Sequence, residues 1–128
     1  MAKITLGKRP ESFKRTVKTK ILDEAGNVVN GEIDCSFVYR TASEYGKLID
    51  ELNDGQPTQS GDMELLFTIL ERKKDRNGEY LARILNGWGM TAEFNVTNAQ
   101  QLCDEFPGVV NDIFADYREV IVEGRLGN

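Results

Sequence analysis

The sequence predicts an α+β fold in which an N-terminal antiparallel β-hairpin packs on a bundle of about four to five α-helices. Two hydrophobic patterns and the chain length predict it. Apolar and polar residues alternate over residues 13–40, as in half-buried strands, and apolar residues recur every three or four positions over residues 41–123, as in amphipathic helices. With 128 residues, 40% of them hydrophobic, the chain 1–128 is expected to form a single domain around one core.

The first 40 residues are predicted to form an arm and a hairpin. Residues 1–12 contain Gly7, Pro10 and few apolar side chains, so we expect an irregular arm. The hairpin is predicted over residues 13–40, with residues 23–27 (DEAGN) as its turn. Its inward side chains alternate along both strands: Phe13, Arg15, Val17, Thr19, Ile21, Ile33, Cys35, Phe37 and Tyr39. Because an isolated hairpin is marginally stable in water, this face is expected to rest on the helices.

The helical part, residues 41–123, is predicted to begin with a capping box in which Thr41 and Glu44 satisfy free amides. Residues 54–61 are expected to form a mobile loop. A second helix is expected from about Asp62, and Asn77-Gly78 either breaks or weakens it. The apolar stripes expected to face the core are Tyr45, Leu48, Ile49 and Leu52; Met63, Leu66, Phe67 and Leu70; and Tyr80, Leu81, Ile84, Leu85 and Trp88.

Two further helical patterns follow. Thr97-Asn98-Ala99-Gln100 fits another capping box, which would open a short helix with Leu102, Cys103 and Phe106 on its buried side. After Pro107-Gly108, the last helix is predicted to bury one stripe: Val109, Val110, Ile113, Phe114, Tyr117 and Ile121. Residues 124–128 are expected to form a C-terminal tail that is either frayed or docked on a neighbour.

Charge is distributed unevenly along the chain. The net charge is -5, yet residues 1–20 carry seven basic side chains and one acidic one, out of totals of 16 and 21, so nine basic and twenty acidic residues remain elsewhere. Such polarity suits head-to-tail contact between identical subunits or docking on an acidic partner. We assign this contact to three lysines on the outer hairpin face: Lys14, Lys18 and Lys20. A nucleic-acid partner is not expected, because only one aromatic residue, Phe13, lies in the basic stretch.

Histidine, the commonest general base near neutral pH, is missing from the sequence. Its absence excludes Ser-His-Asp and Cys-His catalysis and the HExxH zinc motif. The sequence contains neither a Walker A motif nor GxGxxG. Cys35 and Cys103 are isolated in sequence and are expected to be free, buried thiols. We therefore expect no catalytic, cofactor-binding or metal-binding residues, no cofactor and no enzymatic activity.

The sequence also favours a cytoplasmic protein. No apolar run approaches the ~20 residues that cross a bilayer. Residues 1–5 lack the apolar stretch of a secretory signal, so no membrane partner is expected.

Four motifs occur in order between residues 4 and 128. They are Ile4-Thr5-Leu6-Gly7-Lys8-Arg9-Pro10; Tyr39-Arg40-Thr41 before a helix with Glu44-Tyr45-Gly46; Gly87-Trp88-Gly89 followed by Glu93-Phe94; and Tyr117-Arg118-Glu119 followed by Glu123-Gly124-Arg125-Leu126-Gly127-Asn128. Together they resemble the tail assembly chaperones of long-tailed bacteriophages and prophages. One departure is Met90, where the family pattern has an acidic residue.

The resemblance implies a function in the cytoplasm of the bacterial host. Such proteins bind the tape measure protein, keep it soluble and promote polymerisation of the tail tube, and they are absent from the mature virion. The resemblance further implies self-association into an oligomer or spiral and, through a frameshifted extension, contact with the tail tube protein. The alternative is a structural phage tail or head-tail connector subunit, which would remain in the particle.

A chaperone of this kind needs apolar surface that a client can cover and net charge that keeps the complex soluble. Trp88 lies between two glycines and is either a core residue or an exposed anchor for a partner. We hypothesise that the partner-binding residues are Trp88, Met90 and Phe94, around this glycine-rich turn, and Met63 beside the predicted mobile loop.

Overall fold

A computed structural model describes residues 3–53 and 75–125 and contains three strands and four helices in these ranges. The elements are β1 (Ser12–Leu22), β2 (Val28–Val38), α1 (Ala42–Asn53), α2 (described over 75–84), β3 (Leu85–Trp88), α3 (Val96–Glu105) and α4 (Pro107–Ile121). The predicted loop 54–61, the helix start near Asp62 and the stripe from Met63 to Leu70 lie outside the described residues.

Strands β1 and β2 form the predicted hairpin. They pair antiparallel without interruption from Ser12↔Val38 to Leu22↔Val28. The Asp23 carboxylate accepts hydrogen bonds from the backbone N–H groups of Ala25 (3.0 Å) and Asn27 (2.8 Å), and Gly26 adopts a left-handed φ of 87°. The turn is therefore specified by its own residues, since Asp closes such turns and Gly adopts positive φ without steric cost.

The sheet has a third strand, β3, at a place that we predicted to be helical. The stripe that includes Leu81 and Ile84 is helical only to residue 84, and β3 then pairs antiparallel with β2 in the order β1-β2-β3. Cys35 faces Trp88 and Phe37 faces Leu85, with a register shift between Ser36 and Phe37. The prediction of a hairpin on helices was therefore incomplete, because the spacing of Leu85 and Trp88 also fits a helix. Pairing with β2 decides the conformation, as tertiary contacts often do.

Helix α1 begins at the predicted capping box. The Thr41 hydroxyl accepts from the backbone N–H of Glu44 (3.2 Å), and the Glu44 carboxylate accepts from the backbone N–H of Thr41 (2.9 Å). The bond from the Thr41 backbone N–H lowers the pKa of the Glu44 carboxyl, and the positive charge of Arg9 lowers it further. The capping box is confirmed.

Helices α2 and α3 approach each other closely. Asn77-Gly78 does not break α2. A Cβ at Gly78 would lie only 3.0 Å from the Gln100 Cα atom, so the absence of a side chain permits the contact between the two helices.

The capping box predicted at Thr97 was wrong in position. The N-cap of α3 is Asn95, whose side chain accepts from the backbone N–H of Asn98 (2.8 Å), and Val96 is the first helical residue.

Helix α4 packs across β1 and closes the core. Its side chains Val109, Val110, Ile113 and Tyr117 are buried, as predicted. The Tyr117 hydroxyl donates to the Val38 carbonyl oxygen (2.8 Å) and accepts from Arg40 (3.1 Å). The core also holds both thiols, the inner face of the sheet and side chains from α1, α2 and α3: Val17, Ile33, Cys35, Phe37, Leu48, Tyr80, Leu81, Ile84, Leu85, Ala99, Leu102 and Cys103.

Phe106 departs from the prediction, since it is partly exposed between α3 and α4. In the parts of the chain that the structure describes, no helix combines the length and the apolar content that crossing a bilayer requires.

Candidate partner-binding surfaces

The segment from residue 88 to residue 94, here called the tryptophan turn, is folded around one indole ring. The Trp88 Nε1–H donates to the Ala92 carbonyl oxygen (2.8 Å). The Trp88 ring packs edge-to-face on Phe94, with ring centroids 5.0 Å apart and planes at 84°. This geometry is favourable for an aromatic pair and satisfies the polar atom of the indole.

Neighbouring elements fix both ends of the tryptophan turn. At its start, the Gly89 N–H donates to the Asp34 carbonyl oxygen (2.8 Å), which continues the pairing with β2. At its end, the Asn98 side chain donates to the Glu93 carbonyl oxygen (2.7 Å), while Asn95 caps α3. The turn is thus held in one conformation by bonds to β2 and α3.

Three of the four predicted partner-binding residues come together here. Trp88, Met90 and Phe94 are partly buried and pack against the core, so each presents only part of its apolar surface to solvent. Trp88 is therefore neither fully buried in the core nor fully exposed to solvent. Met63 lies outside the described residues.

The outer sheet face carries the three predicted lysines. Lys14, Lys18 and Lys20 are exposed, and in the register they face Ser36, Glu32 and Asn30. Lys14 also lines a shallow depression of about 500 Å³ with Thr16, Asp34, Ser36 and Trp88. The lysine face and the tryptophan turn are therefore adjacent.

Two further apolar surfaces lie at opposite ends of the hairpin. In the arm, residues 3–11, Ile4 and Leu6 are 96% and 94% exposed. At the tip, residues 22–29, Leu22 and Val28 are 63% and 67% exposed, and Val29 is also exposed. None of these residues was predicted to contact a partner. The alternating pattern already places Leu22 on the outer face with the lysines, and that was the available signal.

A groove runs between α1, α2 and α4. It has a volume of about 430 Å³, and its apolar lining consists of Ile49, Leu52 and Phe114 with the rings of Tyr45 and Tyr80. The two tyrosine hydroxyls are 2.7 Å apart and hydrogen-bonded to each other. Burial, followed by this bond, raises the pKa of Tyr80.

The buried thiols are poor nucleophiles. Burial raises the pKa of the Cys35 thiol to about 12 and that of the Cys103 thiol to about 11. A thiol reacts as its thiolate, so both are essentially unreactive at neutral pH. Within residues 3–53 and 75–125, no three His, Cys, Asp or Glu side chains are grouped so that they could hold a metal ion.

The whole chain, residues 1–128, matches the family described as phage tail assembly chaperone. The chain belongs to this family. The resemblance expected from the four motifs is confirmed. Membership implies a non-enzymatic role in tail assembly and partners among phage tail-related proteins. Comparison with curated proteins and with solved structures found no match.

Proposed function

We propose that this chaperone binds the tape measure protein in the cytoplasm of the bacterial host, keeps it soluble and promotes tail tube polymerisation, and is absent from the mature virion. The observation that carries the proposal is the family match over the entire chain. The surfaces described above support it, since they offer apolar contact area to a client.

The tryptophan turn is the proposed client site, with Trp88, Met90 and Phe94 as contact residues and Met63 as a fourth. A tape measure helix with an apolar stripe would cover the exposed parts of these side chains. Because the turn is already held by bonds to β2 and α3, little conformational entropy is lost on binding. The net charge of -5 would keep the complex in solution.

The proposal includes two further contacts. The chaperone self-associates into an oligomer or spiral around its client, and a frameshifted, extended form contacts the tail tube protein. Lys14, Lys18 and Lys20 contribute to binding of a second copy or of an acidic partner. Reversing all three to Glu should weaken that binding. An association that ignores both this reversal and added salt would remove the lysines from the proposal.

The test is co-expression with the tape measure protein of the same phage, followed by measurement of its soluble fraction and its co-purification. We expect the client to be soluble only with the chaperone. Trp88→Ala should lower co-purification about tenfold or more, as for an aromatic interface anchor. Trp88→Phe, which keeps the apolar ring and loses the bond to Ala92, should have a smaller effect. Val96→Ser is the control, since it removes an exposed apolar side chain outside the turn.

Two outcomes would contradict parts of the proposal. If Trp88→Ala binds the client as well as the unsubstituted chain, the tryptophan turn is not the client site. If purified virions contain the chain in stoichiometric amounts, it is a structural tail or connector subunit, and the chaperone function is wrong.

A further inference from the structure

The arm presents two aliphatic side chains to water. Ile4 and Leu6 are separated by one residue, and Leu6 lies in a turn in which the Lys8 N–H donates to the Thr5 carbonyl oxygen (3.3 Å). The base of the arm is fixed, because Arg9 forms an ion pair with Glu44 (3.0 Å) and Glu11 accepts a backbone hydrogen bond from Tyr39 (2.9 Å). An anchored base with an exposed apolar end is suited to binding a surface that lies beyond this copy of the chain.

The tip presents the matching apolar surface. Leu22 and Val28 are cross-strand partners, so their exposed side chains lie side by side. Helix α4 runs antiparallel to β1, since Arg15 pairs with Asp116 and the Thr19 hydroxyl donates to Asp112 (2.6 Å). The five residues from Asp112 back to Pro107 rise ~7.5 Å along the helix. The three from Thr19 to Leu22 rise ~10 Å along the strand.

The start of α4 therefore lies near the level of the tip. Phe106, which is exposed and immediately precedes α4, adds a fourth apolar side chain at this end of the molecule, on the side of the sheet opposite Leu22 and Val28.

The arm cannot reach the tip of its own copy. Strand β1 has 11 residues, so the arm and the tip are separated by ~33 Å along the hairpin. Arg9 is held beside Glu44 at the arm end, and the five residues from Arg9 back to Ile4 span at most ~18 Å. Contact between the two surfaces thus requires a second copy of the chain.

The two ends also differ in charge. The arm carries Lys3, Lys8 and Arg9 against one acid, Glu11. The turn of the tip carries Asp23 and Glu24. Two further acids, Asp104 and Glu105, immediately precede Phe106, while Lys20 is the nearest basic residue along β1. The basic arm and the more acidic tip are electrostatically complementary, which favours association and orients the two copies.

We propose that the arm of one copy binds the hairpin tip of the next, with Ile4 and Leu6 packed against Leu22 and Val28. The proposal rests on the self-association named in the proposed function and specifies its two surfaces. Because the surfaces differ, the contact is heterologous, so copies add head to tail instead of closing as a two-fold dimer.

Sedimentation velocity of the purified chain over a range of concentrations tests the proposal. The unsubstituted chain should form a concentration-dependent series of oligomers that shrinks at high salt. The arm variant is Ile4→Ser/Leu6→Ser and the tip variant is Leu22→Ser/Val28→Ser. Each should associate at least about tenfold more weakly than the unsubstituted chain. Val96→Ser, the matched control at an exposed aliphatic position, should assemble like the unsubstituted chain.

Mixing the arm and tip variants distinguishes a head-to-tail contact from other arrangements. The arm variant keeps an intact tip and the tip variant keeps an intact arm, so the mixture can form one contact and no more. We expect a heterodimer in the mixture and monomers in each separate sample. Oligomers of the arm variant alone, or a mixture that stays monomeric while the unsubstituted chain associates, would overturn the proposal. An unsubstituted chain that remains monomeric would also overturn it.

Exchanging a basic residue of the arm with an acidic residue of the tip provides a second test of association. Lys8→Glu in one sample and Glu24→Lys in another should each weaken association, and mixing the two variants should restore part of it. Asp23 is unsuitable for this exchange because its carboxylate holds the turn. None of these measurements contains the tape measure protein. A failure here is therefore distinct from a failure of client binding, which is measured by co-expressing the arm variant with the client.

Discussion

The two halves of the hairpin share one alternating pattern but have different surroundings. The inner half, residues 12–19 and 31–38, lies under α4 and beside β3, and its side chains Val17 and Phe37 are buried. The outer half, residues 20–30, leaves Val29 exposed although it lies on the same face as Ile33, and it carries Leu22 and Val28 in solvent on the opposite face. The strand pattern therefore specifies which side chains share a face. It does not specify whether another element covers that face.

The inner half of the hairpin is expected to contribute to folding stability, and the outer half to binding. In the inner half, Phe13, Phe37 and Tyr117 form a cluster of aromatic rings with centroids 5.3 to 6.4 Å apart. The outer half has exposed aliphatic groups and a turn closed by Asp23. Substitutions in the inner half should change the free energy of unfolding, whereas those in the outer half should change the association between copies of the chain.

The largest effect is expected at Phe37, which has no exposed surface. Phe37→Ala should lower the free energy of unfolding by about 3–5 kcal/mol, because it leaves a cavity among the packed rings. Leu22→Ala, the matched change in the outer half, should lower it by no more than about 0.5 kcal/mol. Urea denaturation followed by circular dichroism measures both. Similar losses in the two variants would remove the distinction between the halves.

The sequence predicted the features that depend on neighbouring residues. The hairpin faces, the Thr41–Glu44 capping box and the buried stripe of α4 all follow from local spacing. The proximity of Trp88, Met90 and Phe94 was also predictable, because seven residues contain all three.

Features that depend on distant residues were not predictable in this way. Leu85 and Trp88 fit helical spacing, and only pairing with Cys35 and Phe37 makes them a strand. Asn86 and Gly87, both poor helix formers, were the local signal. The exposure of Ile4 and Val29 could not be predicted, because it depends on which elements fail to reach them.

The second prediction concerns alkaline pH and the inner half. Burial raises the folded-state pKa of Cys35 from 9.0 to about 12, so above pH 9 the unfolded chain loses this proton before the folded protein does. Deprotonation then favours the unfolded state, and the thiol should reduce stability by up to about 1.4 kcal/mol per pH unit until about pH 12.

Denaturation at a series of pH values with reductant measures this loss. Cys35→Ala should show a shallower decline above pH 9 than the unsubstituted chain. Cys103→Ala is the comparison, because the pKa of Cys103 rises less, to about 11. Identical slopes for Cys35→Ala and the unsubstituted chain would contradict the assignment.

The third prediction compares two threonines on opposite faces of β1. The Thr19 hydroxyl is buried and donates to Asp112 on α4, whereas Thr16 is exposed and donates to Asp34 on the neighbouring strand (2.7 Å). Thr19→Val should cost about 1.5 kcal/mol of stability and Thr16→Val less than about 0.5 kcal/mol. Equal costs would mean that the contact with α4 contributes little at this point of the hairpin.

The prediction with the smallest expected effect tests whether the turn at the hairpin tip depends only on its own residues. A Cβ at Gly26 would contact nothing within 4 Å, so Gly26→Ala should cost about 1 kcal/mol through its positive φ alone. Gly46→Ala is the matched control, because Gly46 is helical, has equally open space and should gain about 0.5–1 kcal/mol. Thermal unfolding should show shifts of opposite sign.

The position of β3 in the chain determines the order in which the sheet can be completed. Strands β1 and β2 meet through a short turn, whereas Trp88 is 53 residues beyond its partner Cys35. Closing the longer loop costs more chain entropy, so the hairpin can form early but remains without its third strand. On the ribosome, Phe37 lacks the Tyr117 ring that packs against it until most of the chain has been synthesised. This member of a chaperone family thus depends on the last quarter of its own chain to complete its core.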